Sequence, residues 1–283
     1  MDRETSHREE HTGLSRRPVH RVRDGAACGP AEGDWVAVEA PLEIRLHGRP
    51  AAVLMRTPGG ELEDRELVTG FLYSEGVIDA AREVLAVERV EDAPRDDMGG
   101  TVVDVRLETP SRGRGIERFF YSTSSCGACG KRSIESLAVK GAGSWADWTV
   151  SPERITAMLA QARNHQGLFA QSGGVHASGL FNLAGELVLL REDVGRHNAL
   201  DKVIGASLLG SVMPLQDQIL AISGRVGYEI IQKAAVAGIP LIAAVGAPTS
   251  LAVDLAMEHG ITLVGFAKPG SMNVYSHPER VGI

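Results

Sequence analysis

From residue 187 to its end the chain repeats one pattern: a short, almost unbroken aliphatic run, a turn containing glycine, then a helix-length amphipathic segment. "GELVLLRED", "QILAISGR", "IPLIAAVG" and "ITLVGFA" read as strands, with "GRHNALDKVIGASLL", "GYEIIQKAAVAG" and "TSLAVDLAMEHG" as the helices between them. A strand that is aliphatic at consecutive positions has no solvent face, so the sheet built from these runs must be covered on both sides. That requirement selects an α/β architecture. An apolar content of 43% with only 5% aromatics suits a core of aliphatic side chains.

The first half follows another rhythm. "WVAVEAPLEIRLHGRPAAVLMRT", from Trp35 to Thr57, alternates, breaks at "HGRP" and resumes, which predicts a hairpin. Glu61 to Gly76 reads as a helix with Leu67, Val68, Phe71 and Leu72 on one face, and "EVLAVERVE" and "TVVDVRLET" as two more strands. "SPERITAMLAQARNHQGLF" predicts a helix with Ser151 as N-cap and Pro152 at the first helical position. The opening "MDRETSHREEHTGLSRRPVHRVRDG" is dense in charge with little to bury, and is expected to be a disordered tail. Arg16 and Arg17 are not followed by the apolar stretch an export signal needs, and no run is long enough to span a membrane. A net charge of -7 argues against wrapping nucleic acid. Three cysteines, one of them Cys28 in the tail, make no disulfide framework and point to a reducing cytoplasm.

Ligands of open α/β sheets bind beyond the carboxyl ends of the strands. Here those ends carry "SGR" at 223–225, "GAPTS" at 246–250 and "KPGS" at 268–271. The first two run into helix N-termini, whose amides and dipole favour an anion, and Arg225 and Lys268 add full charges. Each turn taken singly is better explained as a tight connection or a helix cap, and it is the three together that favour a site. Neither a G-x-G-x-x-G nor a G-x-x-x-x-G-K-[ST] motif is present. "REDVGRHNALDK" gathers Arg191, Glu192, Asp193, Arg196, His197, Asn198, Asp201 and Lys202 at a strand-to-helix junction, either as part of a site or as a solvated face with local ion pairs.

"STSSCGACGKR" places Cys126 and Cys129 three positions apart among small residues, followed by Lys131 and Arg132. A structural zinc site wants four ligands, and no second C-x-x-C or paired histidines supply the rest. A zinc deaminase needs H-x-E before P-C-x-x-C, whereas "VHAS" puts Ser178 where the glutamate belongs and the cysteines come first. A thioredoxin-like redox pair belongs at the start of a βαβ unit, which this loop does not open. Sulfur transfer asks for a mobile thiolate with nearby cations to lower its pKa, and the loop offers both; idle surface thiols remain the plainer alternative.

"TSSCGACG", "EDVGRHNALDK", "SGRVGYEIIQKAAVAGIPLIAAVGAPTSLAVDLA", "LVGFAKPGSMNVYSHPERV" and "DRELVTGFLYSEGVI" together resemble the FdhD family of formate dehydrogenase accessory sulfurtransferases, from about Glu39 onward. The resemblance implies a carrier that accepts sulfur from a cysteine desulfurase and passes it to the bis(molybdopterin guanine dinucleotide) cofactor, with molybdenum or tungsten, before insertion into formate dehydrogenase. It implies a deaminase-like three-layer αβα domain with a mixed sheet over 121–283, beside the smaller α+β domain over 31–120 and the disordered tail over 1–30 that the residue patterns give. It further implies Cys126 as the persulfide carrier and Cys129 as its assistant. The cofactor segment falls on Ala267, Lys268, Pro269, Gly270, Ser271 and Met272, after the last predicted strand, with Ser271 where many relatives carry arginine. Homodimers that bind guanine nucleotides such as GDP belong to the same expectation. A non-catalytic chaperone for the cofactor, or a zinc-dependent deaminase-like enzyme, are the competing readings.

Overall fold

In the computed structural model, residues 13–29, 32–91, 100–110 and 148–283 are described. The first half contains strands β1 (Leu14–Val19), β2 (Val22–Arg23), β3 (Ala26–Ala27), β4 (Glu32–Ala37), β5 (Ala40–Leu46) and β6 (Arg49–Arg56), then helix α1 (Glu61–Ser74) and strands β7 (Val84–Arg89) and β8 (Thr101–Leu107). The second half opens with helices α2 (Pro152–Asn164) and α3 (Gly167–Ser172) and strands β9 (His176–Asn182) and β10 (Leu187–Asp193). It continues with α4 (Arg196–Leu209), β11 (Gln218–Ile222), α5 (Tyr228–Ala237), β12 (Leu241–Ala244), α6 (Ser250–Glu258), β13 (Thr262–Lys268) and β14 (Ser271–Ser276).

The aliphatic runs do what their pattern requires. Ile219 and Ala221 of β11, with Leu241 and Ala243 of β12, face Ile155, Met158 and Leu159 of α2. The alternate residues Leu220, Ile222, Ile242 and Ala244 face Leu200, Ile204, Ile230, Ala234 and Ala252 on α4, α5 and α6. The sheet is therefore the middle of three layers, and its order is β10-β9-β11-β12-β13-β14. β11, β12 and β13 are parallel; β9 runs antiparallel to both its neighbours, as β14 does to β13. The sheet is thus mixed, and β10 to β13, apart from β9, point their carboxyl ends to one edge.

A four-stranded sheet, β6-β5-β8-β7, forms the smaller layer. Leu42, Ile44, Val103 and Val105 on one face pack against Leu67, Val68, Phe71 and Leu72 of α1. The opposite side of α1 meets α4, and there the two helices nearly touch. A Cβ added at Gly205 would lie 1.8 Å from the Glu66 carbonyl oxygen, and one at Gly70 would lie 1.9 Å from that of Asp201. Only glycine permits this approach, and it locks the small sheet onto the large one.

Three expectations are corrected. The tail is not without structure through residue 30, because Leu14–Val19 pairs antiparallel with Glu32–Ala37. Charge density forecasts little burial, but a ladder is satisfied by backbone groups alone, and Leu14 is buried at its root. The helix expected to run to Phe169 breaks at His165 and Gln166 and restarts as α3. The cofactor segment does not follow the last strand: β14 comes after it, so Lys268 to Ser271 form the turn of a hairpin. Among the described residues no helix is long and apolar enough to cross a membrane.

Gly205→Ala should lower the denaturant midpoint, since its methyl group meets rigid backbone on the facing helix; overpacking of this kind costs about 1–3 kcal/mol or more. An unchanged midpoint would show that the helices separate freely.

Candidate anion-binding edge

The "REDVGRHNALDK" cluster divides between bracing and display. Asp193, at the end of β10, is fully buried, and its carboxylate accepts hydrogen bonds from the backbone N–H groups of Thr57 (3.2 Å) and Gly195 (2.9 Å) and from Asn198 Nδ2 (3.0 Å). Lys202, also fully buried, lies 2.9 Å from Asp193 and 2.9 Å from Glu63 of α1. Arg191 grips Glu66 of α1 through two bonds of 2.6 and 2.7 Å. Glu192 accepts from the N–H groups of Leu168 and Phe169, at 2.9 and 2.8 Å, and so caps α3. Asp201 accepts two 2.8 Å bonds from Lys233 of α5 and one of 2.9 Å from Ser74. Burial pushes the Asp201 carboxyl up despite the adjacent lysine. These residues join α1, α4 and α5 to one another.

Arg196 and His197 do something else. They begin α4, whose N-cap Gly195 offers no side-chain cap, next to α5, whose N-cap Gly227 offers none either. His197 Nε2 lies 3.5 Å from Glu229 Oε2 across the gap between the helices. Burial raises the Glu229 carboxyl, but the approach of His197, the backbone and the nearby Arg196 outweigh it, holding that group below its usual range. His176 starts β9 on the same edge; burial holds it below its ordinary value, and Arg196, His197 and Arg225 push it the same way against Asp193. Arg196 Nε is buried with no hydrogen-bond partner among the described residues.

The turns of this edge are packed backbone to backbone. A Cβ at Gly246 would lie 2.5 Å from the carbonyl oxygen of Gly224, and one at Gly224 would lie 3.1 Å from His176 Nδ1. Beyond them β13 carries a bulge in which Phe266 has φ 51 and its N–H donates to the Gly246 carbonyl at 3.1 Å. A positive φ is costly for an aromatic residue, and here it leaves the side chain half exposed at the mouth of the edge. Of the predicted segment, Lys268, Pro269, Gly270 and Ser271 are exposed on the hairpin, where Pro269 followed by Gly270 at φ 75 suits a type II turn. Ala267 is buried against the α2 side and Met272, half-buried, packs at its margin. On the α2 side of the edge lies a cavity of about 460 Å³, lined by Arg163, Phe169, His176, Ser223 and Val245 among others. Cys126, Cys129, Lys131 and Arg132 lie outside the described residues.

The strand-end rule identifies Arg225 and Lys268, and the cluster Arg196 and His197. It misses His176, because β9 itself went unread: "HASGLFN" lacks the aliphatic density of the other strands. Phe266 was hidden too, since a bulge has no sequence period.

The fold is a mixed-sheet α/β architecture, the class in which ligand sites lie beyond the carboxyl ends of the strands. Comparison with known proteins sharpens this. The family model described as "FdhD/NarQ family" matches residues 37–282, and the chain belongs to that family. Proteins named "Sulfur carrier protein FdhD" from Streptomyces coelicolor and Sulfolobus acidocaldarius are 46% and 41% identical, covering 95% and 94% of this chain and 95% and 97% of their own lengths. A crystal structure from Desulfotalea psychrophila, described as that of "a putative formate dehydrogenase accessory protein", matches with a TM-score of 0.72 and 28% identity over 95% of this chain and 99% of that one.

Asp193→Asn removes the charge opposite Lys202 and should cost about 3–5 kcal/mol, the range for breaking a buried ion pair. Equilibrium unfolding in urea checks it, and a loss below 1 kcal/mol would mean that solvent reaches the pair.

Proposed function

We propose that this protein is a cytoplasmic sulfur carrier for formate dehydrogenase, loading sulfur as a persulfide on Cys126 and delivering it to a bis(molybdopterin guanine dinucleotide) cargo held at the carboxyl edge of the six-stranded sheet. The observation that carries the reading is the convergence of His176, Arg196, His197 and Arg225 on the uncapped N-termini of α4 and α5, with Lys268 on the hairpin beyond. A guanine dinucleotide presents phosphates for the cations and a flat base for the exposed Phe266 ring. The names of the relatives supply the sulfur-carrying role and the link to formate dehydrogenase.

In the loading step the Cys126 thiolate attacks the terminal sulfur of a persulfide on a cysteine desulfurase. A new S–S bond forms on Cys126, the donor's S–S bond breaks, and the donor thiolate departs, with no net redox change. For release, Cys129 attacks the inner sulfur of Cys126, forming a Cys126–Cys129 disulfide and expelling hydrosulfide towards the cargo. A cellular dithiol then reduces the pair. The cargo, containing molybdenum or tungsten, is the substrate of this exchange, and its metal supplies the site at which sulfur is accepted. The working unit in this proposal is a homodimer.

Incubation with desulfurase and cysteine should add the mass of one sulfur atom to the wild type and none to Cys126→Ala, while GDP binding is retained by both. An unloaded wild type would leave a cofactor chaperone as the function. Lys268→Ala should weaken GDP binding about tenfold, the loss of one charge-assisted hydrogen bond worth roughly 1.5 kcal/mol. Equal affinities in calorimetry would remove Lys268 from the site.

A further inference from the structure

His176 occupies the point on this edge where charged groups from several elements meet. Arg196 and His197 face it from α4, Arg225 from the turn entering α5, and Asp193 from β10. Asp193 is engaged by Lys202, Asn198 and two backbone N–H groups, and Glu229 of α5 faces His197 at 3.5 Å, so the guanidiniums of Arg196 and Arg225 are the full positive charges nearest the imidazole. The ring rests against the backbone at Gly224, where a Cβ would come within 3.1 Å of Nδ1. Neither ring nitrogen makes a hydrogen bond among the described residues. One pleat inward on the same strand face, Ser178 is 1% exposed and its Oγ has no partner among the described residues, as is true of Arg196 Nε. Arg196 Nε, at the uncapped start of α4, and Ser178 Oγ, on the strand that His176 begins, are thus buried polar groups without a partner among the described residues.

We infer that His176 contacts the anionic group of the ligand directly and takes up a proton as it does so, which makes binding of the phosphorylated cargo proton-coupled. This rests on the proposed cargo site and adds a residue and a regulation to it. With the edge empty, burial first and then Arg196, His197 and Arg225 hold the imidazole below its ordinary value, which disfavours its protonated form. An incoming dianion offsets those cations and supplies an acceptor for a second N–H, so the bound form favours imidazolium. The sign follows from linkage. Between the low pKa of the free state and the raised pKa of the bound state, each unit fall in pH strengthens binding by up to tenfold; above the bound value the dependence vanishes. Cargo is thus held more tightly in acid and released as pH rises.

Calorimetric titration of the full chain with GDP, at several pH values in buffers of different ionisation enthalpy, counts the protons taken up. The wild type should take up as much as one proton more per GDP than His176→Gln, and its affinity should fall more steeply with pH. GDP's own phosphate ionises equally in both experiments and cancels in the difference. His176→Asn serves if the glutamine variant does not fold. A direct readout on the wild type is the histidine Cε1–H resonance assigned to position 176, whose titration midpoint should move up on saturation with GDP. Equal proton counts, or a midpoint that stays or falls, would overturn the coupling while leaving GDP binding intact. No GDP binding at any pH would overturn the cargo site, and this inference with it.

Discussion

The carboxylate of Asp193 is the constraint on which the arrangement depends. It terminates β10 and meets the buried ammonium of Lys202, an amide after β6 and the first turn of α4. Stripped of solvent, such a charge is tolerable only when every oxygen has donors. The geometry that satisfies it therefore fixes three elements at once. Lys202 extends the same logic to Glu63 and, through the Thr57 and Glu192 carbonyls, to the chain on either side of the junction. The glycine crossing of α1 and α4 makes room for this network by bringing the helices close enough for it to close.

The acidic residues of the cluster are spent on bracing, while Arg196 and His197, half-buried, begin α4 at the strand ends. Arg196 and His197 follow Asp193 by a few positions, yet the helix turn directs them to the strand ends, where Arg225 and His176 join them. Asp193 and Asp201 stabilise the scaffold, and the scaffold presents a cationic edge in a chain whose net charge is -7. A local field of this sign is what the proposed phosphorylated cargo would meet at the edge.

Much of the architecture is legible in sequence because it obeys local period. Continuous aliphatic runs at 219–222 and 241–244 forced a sheet covered twice, and Ser151 announced a helix start that its hydroxyl does cap. What stayed hidden is what depends on distant partners. Glu66 and Arg191, or Gly70 and Gly205, meet only once the helices are docked, and nothing within a short window marks them. β9 escaped because its small residues, Ala177, Ser178 and Gly179, fit between neighbouring layers without the aliphatic bulk by which strands are recognised. Of the site, the charged turns were readable from chemistry and position, while His176 and Phe266 required the missed strand and the bulge. The thiols of Cys126 and Cys129 were read from their motif alone.

A crystal structure of the protein with GDP decides whether the carboxyl edge holds the nucleotide. The diphosphate is expected within hydrogen-bonding reach of Lys268 or of the α4 and α5 N-termini, with the base against the Phe266 ring. A nucleotide seated on the outer face of the four-stranded sheet, with the carboxyl edge empty, would contradict this placement.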